Sequence, residues 1–222
     1  MIKKELLNNI DLYFITDSNL TKKGILNDVK SAISAGVKII QYREKEGTTR
    51  EMFSKASAIK NMCVKANVLF IINDRVDIAL ATDADGVHLG DDDMPYHVAR
   101  KLLGKNKIVG LTIHDLNEAK NAEVMGADYI GVSPIFKTTT KIDAGTPKGL
   151  NLIKEIKNNI SIPFVAIGGI NEDNIKSVLN AGAKSVAIIS AIISKENVKE
   201  ECKKFIDIIL SYKSYKNSCN KD

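Results

Sequence analysis

The sequence has little of what several protein classes depend on. Tryptophan is absent, aromatic residues make up only 5% of the chain, and 222 residues contain three cysteines. Three cysteines without metal-ligand or framework spacing exclude a small disulfide-stapled domain. The low aromatic content argues against an aromatic-rich β-sandwich, and the 44% hydrophobic content excludes disorder for most of the chain. What remains is a globular fold with an aliphatic core.

Long hydrophobic runs and an export signal are also missing. The longest apolar runs, 68–72 and 186–189, fall far short of the roughly 18 residues that a membrane-spanning helix needs. Residues 1–10 carry cations but no apolar block behind them, so we expect no secretory signal. With free thiols, this predicts a cytoplasmic protein without a membrane partner.

The charge pattern does not indicate a nucleic-acid partner. The net charge of +5 comes from 32 basic and 27 acidic residues, and no basic run is interleaved with aromatics. The lysines are spread along the faces of predicted helices, as in a solvated surface. We therefore expect small-molecule ligands and no nucleic acid, and a homo-oligomer is compatible with the sequence.

Eight short β-branched runs alternate with segments of helical apolar spacing. The runs are apolar throughout, which is typical of parallel strands buried on both faces. Between them, residues such as Leu150, Ile153 and Ile156 recur on one helix face. The runs cover residues 12–16, 37–42, 68–72, 86–89, 108–112, 129–132, 164–167 and 186–189.

A weak repeat supports a closed barrel. A glycine precedes or opens a strand four times, at Gly36, Gly86, Gly126 and Gly182, where a helix C-cap favours glycine. The pattern predicts the α/β class: a single parallel eight-stranded (βα)₈ TIM barrel over residues 1–222. The barrel covers about 11–210, with a last helix over 196–212 and a frayed polar tail over 211–222. The alternative, a doubly wound open sheet, lacks a Gly-x-Gly-x-x-Gly after the first strand.

Cations follow the second predicted strand. Because the active site of a TIM barrel is built from the loops after its strands, alternation places Gln41, Arg43 and Lys45 toward the barrel mouth. Two cations and an amide there would form an anion site, with Arg able to bind phosphate oxygens through two bonds. The alternative is a solvated charged loop.

Carboxylates follow the third and fourth predicted strands. Asp74 and Asp93 each precede a predicted helix, where a carboxylate can cap free N–H groups. Capping alone does not explain two acidic groups beside Arg43 and Lys45, because they would repel the anion that these cations attract. One Mg²⁺ ion between the carboxylates resolves the conflict.

The loops after the last three strands predict a second anion pocket. Gly168–Gly169 and Ser190 follow strands seven and eight, where TIM barrels bind phosphate through backbone N–H groups. The polar segment 137–145 after strand six is either a lid or an inert surface loop. Nothing supports nucleophilic catalysis, since no cysteine lies at a predicted strand end.

Taken together, these motifs resemble the thiamine-phosphate synthase family, over about residues 12–192. Each motif alone is weak, but their combination is specific. The segments that carry the resemblance are 41–45 (Gln-Tyr-Arg-Glu-Lys), 72–77, 86–90 with 93–95, 138–141 with 143–145, 168–169 and 190–192.

The resemblance implies a transferase of thiamine biosynthesis. It would condense 4-amino-2-methyl-5-hydroxymethylpyrimidine diphosphate with 4-methyl-5-(2-phosphoethyl)thiazole, or its carboxylated form, to give thiamine phosphate and diphosphate. Its implied metal ligands for Mg²⁺ are Asp74 and Asp93, and its implied catalytic residues are Arg43, Lys45, Thr112 and Lys141. The implied substrate-binding set is Gln41, Tyr42, Arg43, Glu44, Lys45, Asn73, His88, Thr112, Thr138, Thr140, Lys141, Gly169, Ile189 and Ser190.

The chain departs from the family pattern at a few positions. Thr112 stands where the family usually has serine, Ser133 where it often has glycine, and Lys137 and Thr139 where it often has proline. None of these removes an implied metal ligand or diphosphate contact. Two alternative functions fit the same barrel: a thiazole tautomerase, for which His114 could serve, and a non-catalytic barrel that binds a phosphate ligand.

Overall fold

The computed structural model describes residues 3–138, 140 and 145–219 of the chain. Eight parallel strands form a closed barrel in sequence order, with β8 pairing with β1, which confirms the predicted fold class. The strands are β1 Leu12–Ile15, β2 Ile39–Tyr42, β3 Leu69–Asn73, β4 Gly86–Leu89, β5 Ile108–Ile113, β6 Tyr129–Val132, β7 Phe164–Ile167 and β8 Val186–Ile188.

Helices surround the barrel and follow each strand. The 3₁₀ helix η1, over Lys3–Asn9, was not predicted from the sequence. The α-helices are α1 Ile25–Ser34, α2 Thr49–Ala66, α3 Val76–Ala81, α4 Tyr96–Leu103, α5 Leu116–Met125, α6 Gly149–Asn159, α7 Ile175–Ala181, α8 Ser190–Ile193 and α9 Val198–Cys219. Among the described helices, none combines the length and apolarity that crossing a bilayer would take.

Strand alternation divides the buried side chains into two clusters. In β1, Leu12 and Phe14 pack outward against the helices, whereas Tyr13 and Ile15 point into the barrel. Leu7, from η1, joins the inner cluster and is almost fully buried. The inner layer thus includes the segment before β1, while the opposite ends of the strands carry the loops predicted to hold the site.

The last helix is longer than predicted. The sequence predicts a helix end near Tyr212 and a frayed tail from Ser211, but α9 continues to Cys219. An ion pair joins Lys213 Nζ to Asp11 Oδ1 at 2.6 Å, next to the start of β1. The prediction of the helix end was wrong because it used only the local polarity of the sequence. Local polarity gives no indication of a contact between residues so far apart in the chain.

Candidate active site

A cavity of about 200 Å³ opens at the carboxyl ends of the strands. Residues from β1 to β8 and from the loops that follow them line it, as expected for a TIM barrel. The structure brings most of the predicted site residues together there. They are Gln41, Arg43, Lys45, Asn73, Asp74, His88, Asp93, Thr112, Thr138, Thr140, Gly169, Ile189 and Ser190.

Two residues of the predicted binding set do not line the cavity. The Tyr42 side chain is 2% exposed and packs in the outer cluster, between the barrel and its helices. The Glu44 carboxylate accepts a hydrogen bond from Ser18 at 2.7 Å and pairs with Lys55 at 3.3 Å. Side chains alternate in direction along an extended chain, so Tyr42 and Glu44 point away from the side that Arg43 faces. We therefore leave both side chains out of the binding set. Lys141 and Thr139 lie outside the described residues.

Asp74 and Asp93 form an interacting pair at the cavity edge. Asp74 Oδ2 lies 2.6 Å from Lys45 Nζ, and Asp93 Oδ2 accepts a hydrogen bond from the backbone N–H of Gly90 at 2.7 Å. Burial, followed by the neighbouring Asp74 carboxyl, raises the pKa of Asp93 to about 6, while Lys45 acts in the opposite sense. Two half-buried carboxyl groups this close favour the presence of a cation.

This acidic pair should make the metal-free protein less stable at neutral pH than at acidic pH. The Asp93 carboxyl loses its proton with a pKa of about 6 when folded, against 3.8 when exposed. Between these values the folded state binds more protons, so the free energy of unfolding falls as pH rises from about 4 to 6. We therefore expect Asp93→Asn to unfold at a higher temperature than wild type at pH 7, and at a similar temperature at pH 3.5.

Thermal unfolding in the presence of a chelator measures this difference. Asp207→Asn is the matched control, because Asp207 is exposed on α9 and should show no pH-dependent gain. Equal unfolding temperatures for Asp93→Asn and wild type at pH 7 would contradict the assigned repulsion.

Arg43 is held by a partner that sequence reasoning missed. Its Nη1 lies 2.6 Å from Asp17 Oδ2, and the two side chains are 14% and 8% exposed. The Arg43 backbone N–H also donates to Thr16 Oγ1 at 3.0 Å. Asp17 follows β1, and strand β1 pairs with β2, so adjacency in the barrel was the only signal for this contact. The pair orients the guanidinium at the cavity wall.

The loop after β7 packs directly on the loop after β6. Gly169 has φ +65, and a Cβ atom there would lie 2.5 Å from the carbonyl oxygen of Lys137. Its own carbonyl accepts a hydrogen bond from Asn174 Nδ2 at 2.9 Å. Thr138 and Ser190 line the same part of the cavity. This arrangement brings backbone and hydroxyl groups together, as in the phosphate sites of TIM barrels.

Two tyrosines that the sequence motifs did not single out also line the cavity. Tyr13 and Tyr129 are buried in the barrel, and their hydroxyl oxygens lie 2.8 Å apart. Strand alternation could have found them, because both occupy inward-facing strand positions. His114, the residue considered for a tautomerase, lines the rim, with Nδ1 3.2 Å from Glu118 and 3.4 Å from Asp91.

The described acidic residues offer a pair of ligands rather than a full metal cage. No group of three or more histidine, cysteine, aspartate or glutamate side chains within residues 3–138, 140 and 145–219 is arranged to hold a metal. Asp74 and Asp93 fit an ion that takes one or two carboxylates and completes its shell with water and substrate oxygens. Mg²⁺ behaves in this way.

Comparisons with known proteins show the family of the chain. The family model described as "Thiamine monophosphate synthase" matches residues 12–192. The chain is 53% identical over 212 residues to the thiamine-phosphate synthase of Methanosarcina mazei, covering 96% of this chain and 88% of that protein. It is also 53% identical over 207 residues to that of Methanosarcina barkeri, covering 93% and 94%.

A solved structure extends the match to three dimensions. Thiamine phosphate pyrophosphorylase from Pyrococcus furiosus superimposes with a TM-score of 0.86 and 40% sequence identity. The match covers 93% of this chain and 98% of that one. On these grounds of sequence and structure, the chain belongs to the thiamine monophosphate synthase family.

Proposed function

We propose that this enzyme, a transferase, joins a pyrimidine and a thiazole to make thiamine phosphate. The substrates are 4-amino-2-methyl-5-hydroxymethylpyrimidine diphosphate and 4-methyl-5-(2-phosphoethyl)thiazole. The methylene C–O bond breaks, its electron pair leaves with the diphosphate, and the thiazole nitrogen lone pair forms the new C–N bond. One observation carries the proposal: a single cavity contains Arg43, Lys45, the Asp74–Asp93 pair and the glycine turn at Gly169.

The charge balance of the described residues explains why a cation is needed. Arg43 and Lys45 lie beside the carboxylates of Asp17, Asp74 and Asp93, and those of Asp91 and Asp92 also line the cavity. A diphosphate, which carries roughly three negative charges by extension from a single phosphate group, would be repelled by this excess of anions. One Mg²⁺ ion held by Asp74 and Asp93 would supply positive charge to the diphosphate oxygens. The resemblance adds Lys141 as a further cation.

Arg43 and Lys45, which line the described part of the cavity, act on the leaving group. The Arg43 guanidinium, held by Asp17 at 2.6 Å, retains N–H donors that can bind diphosphate oxygens. Lys45 pairs with Asp74 at 2.6 Å, so an incoming diphosphate competes with that carboxylate for the ammonium group. Charge grows on the diphosphate as the C–O bond stretches, and fixed cations stabilise that growth more than they stabilise the bound substrate.

Polar side chains orient the two rings. Gln41, Asn73, His88 and Thr112 lie where they can bind the pyrimidine, whose amino group delocalises the charge of the departing methylene carbon. The backbone at Gly169 and the hydroxyl groups of the neighbouring loops bind the thiazole phosphate. Binding both rings in one cavity aligns the thiazole nitrogen with the methylene carbon. The hydroxyl groups belong to Thr138, Thr140 and Ser190, beside the backbone of Ile189.

A coupled assay for released diphosphate tests the proposed function. We expect release only when both substrates and Mg²⁺ are present, and loss of the signal when any of the three is omitted. Release at the full rate without the thiazole would identify a hydrolase. Conversion or retention of the thiazole phosphate without any release would identify an isomerase or a silent binder. Either result would overturn the proposal.

The Gly169 turn gives a separate prediction. Gly169→Ala should raise the KM for the thiazole phosphate about tenfold or more, equivalent to about 1.4 kcal/mol, because the new methyl would meet the Lys137 carbonyl at 2.5 Å. Gly36→Ala is the matched control. Gly36 also has a positive φ, +97, but a Cβ there would have open space. It should lose about 1–2 kcal/mol of stability and keep its KM. Steady-state kinetics with an unchanged KM for Gly169→Ala would contradict the phosphate assignment.

A further inference from the structure

A continuous row of hydrogen bonds crosses the floor of the cavity. Gln41 Nε2 donates to Tyr13 Oη at 3.0 Å, and Tyr13 Oη lies 2.8 Å from Tyr129 Oη. Tyr129 Oη lies 2.9 Å from His88 Nδ1, and His88 Nε2 lies 3.0 Å from Thr112 Oγ1. The five residues come from five strands, β1, β2, β4, β5 and β6. The row joins three residues of the proposed pyrimidine site, Gln41, His88 and Thr112, through two tyrosines that have no role so far.

The two phenols give this row a direction. Burial raises the pKa of Tyr13 and of Tyr129 well above the usual value, so each hydroxyl keeps its single proton. The Gln41 amide nitrogen can only donate, so the acceptor that the described contacts leave for the Tyr13 proton is Tyr129 Oη. The Tyr129 proton then goes to His88 Nδ1. A neutral His88 therefore carries its proton on Nε2 and donates it to Thr112. The Thr112 hydroxyl is left to donate into the cavity.

Because of this direction, one end of the row offers a hydrogen-bond acceptor to a ligand and the other end offers a donor. Gln41 donates from its amide nitrogen to Tyr13, and a side-chain hydrogen bond from Gln41 also acts on Tyr129. With both N–H groups directed at the two phenols, the group that Gln41 can offer to a ligand is the Oε1 acceptor. Thr112 offers a donor. Inverting either end requires every bond of the row to reverse together, including a flip of the Gln41 amide. Hydrogen bonds linked in this way strengthen one another in a buried site.

We infer that Tyr13 and Tyr129 are positioning residues that select the pyrimidine by setting an acceptor at Gln41 and a donor at Thr112. The inference rests on the proposed function. The 4-amino group of the substrate donates to Gln41 Oε1, and a ring nitrogen accepts from Thr112. A 4-oxo analogue would place a carbonyl oxygen against Gln41 Oε1, and a buried acceptor left without a donor is costly.

The state of the His88 ring provides a test that needs no substrate. Heteronuclear NMR of the ring nitrogens distinguishes a protonated nitrogen from a bare one, and the chain has three histidines to assign. We expect wild-type His88 to show only the Nε2–H tautomer. Tyr129→Phe removes the hydroxyl that donates to Nδ1, and Tyr13→Phe removes the bond that orients that hydroxyl. Both variants should show the Nδ1–H tautomer as well.

Ligand selectivity provides the functional test. Equilibrium binding of the 4-amino and 4-oxo pyrimidine diphosphates is measured without the thiazole, so that no transfer occurs. In each Phe variant the preference for the amino ligand, as a ratio of Kd values, should fall at least about tenfold. Tyr212→Phe is the control, because its hydroxyl is buried on α9 and has no hydrogen-bond partner among the described residues. It should change neither measurement.

The outcomes separate this inference from the proposed function. Phe variants that keep a single His88 tautomer and the wild-type Kd ratio would overturn the inference, even if wild type releases diphosphate normally. A wild-type protein that releases no diphosphate would overturn the proposed function, while the tautomer experiment would still decide whether the row is directional. If Tyr129→Phe fails to fold, Tyr13→Phe interrupts the same row at its other link.

Discussion

Asp93→Ala is expected to lower kcat by a factor of about 10²–10³ at saturating Mg²⁺, the usual cost of losing one electrostatic contact to a transition state. The Asp93 carboxylate accepts from Gly90 at 2.7 Å, and its pKa is raised by burial and by Asp74. A side chain kept in this unfavourable state contributes little to folding. The effect of Asp93→Ala should therefore be a loss of turnover without a loss of stability.

Two measurements separate an effect on turnover from an effect on stability. Steady-state kinetics over a range of Mg²⁺ concentrations give kcat, and thermal unfolding without metal reports stability. The exposed Asp207→Ala on α9 should retain normal values of both. Near-normal turnover of Asp93→Ala at saturating Mg²⁺ would refute the assignment of Asp93 as a metal ligand.

Arg43→Ala should also lower kcat/KM by about 10²–10³, because the guanidinium is the described cation best placed to bind the departing diphosphate. This variant carries a second cost. The Asp17 carboxylate is 8% exposed, and leaving it without its partner should destabilise the fold by about 3 kcal/mol. Arg43→Lys keeps the charge but loses the forked geometry, so we expect an intermediate rate.

A double variant separates binding from stability. Asp17→Asn with Arg43→Ala removes both charges, so most of the lost stability should return while activity stays low. Arg50→Ala, an exposed arginine on α2, is the control and should retain full activity. If the double variant recovered the activity together with the stability, Arg43 would have only a structural role.

The fold could be predicted almost entirely from local pattern. Eight apolar runs separated by helical spacing leave few alternatives, and each observed strand lies within about two residues of its predicted run. The errors are at the two ends of the chain. The helix η1 and the extension of α9 to Cys219 depend on contacts with distant parts of the chain, such as Lys213 with Asp11.

For the candidate site, strand alternation indicates which side chains after β2 face the cavity. Alternation alone places Gln41, Arg43 and Lys45 inward, and these residues line the cavity. The resemblance, in contrast, assigned the whole segment 41–45, and so included Tyr42 and Glu44, which face outward. Asp17 was missed because its contact with Arg43 joins the residues that follow two neighbouring strands, β1 and β2. The predicted adjacency of these strands was the only signal for it, and adjacency alone does not say which side chains pair.

The most direct test of the account is the binding of one divalent ion between Asp74 and Asp93. Mn²⁺ can replace Mg²⁺ as an oxygen-seeking probe, and its electron paramagnetic resonance signal reports the bound fraction when the pyrimidine diphosphate is present and the thiazole is omitted. We predict one site in wild type, with affinity at least about tenfold weaker in Asp74→Asn and in Asp93→Asn. Wild-type affinity for Mn²⁺ in both variants would contradict the account.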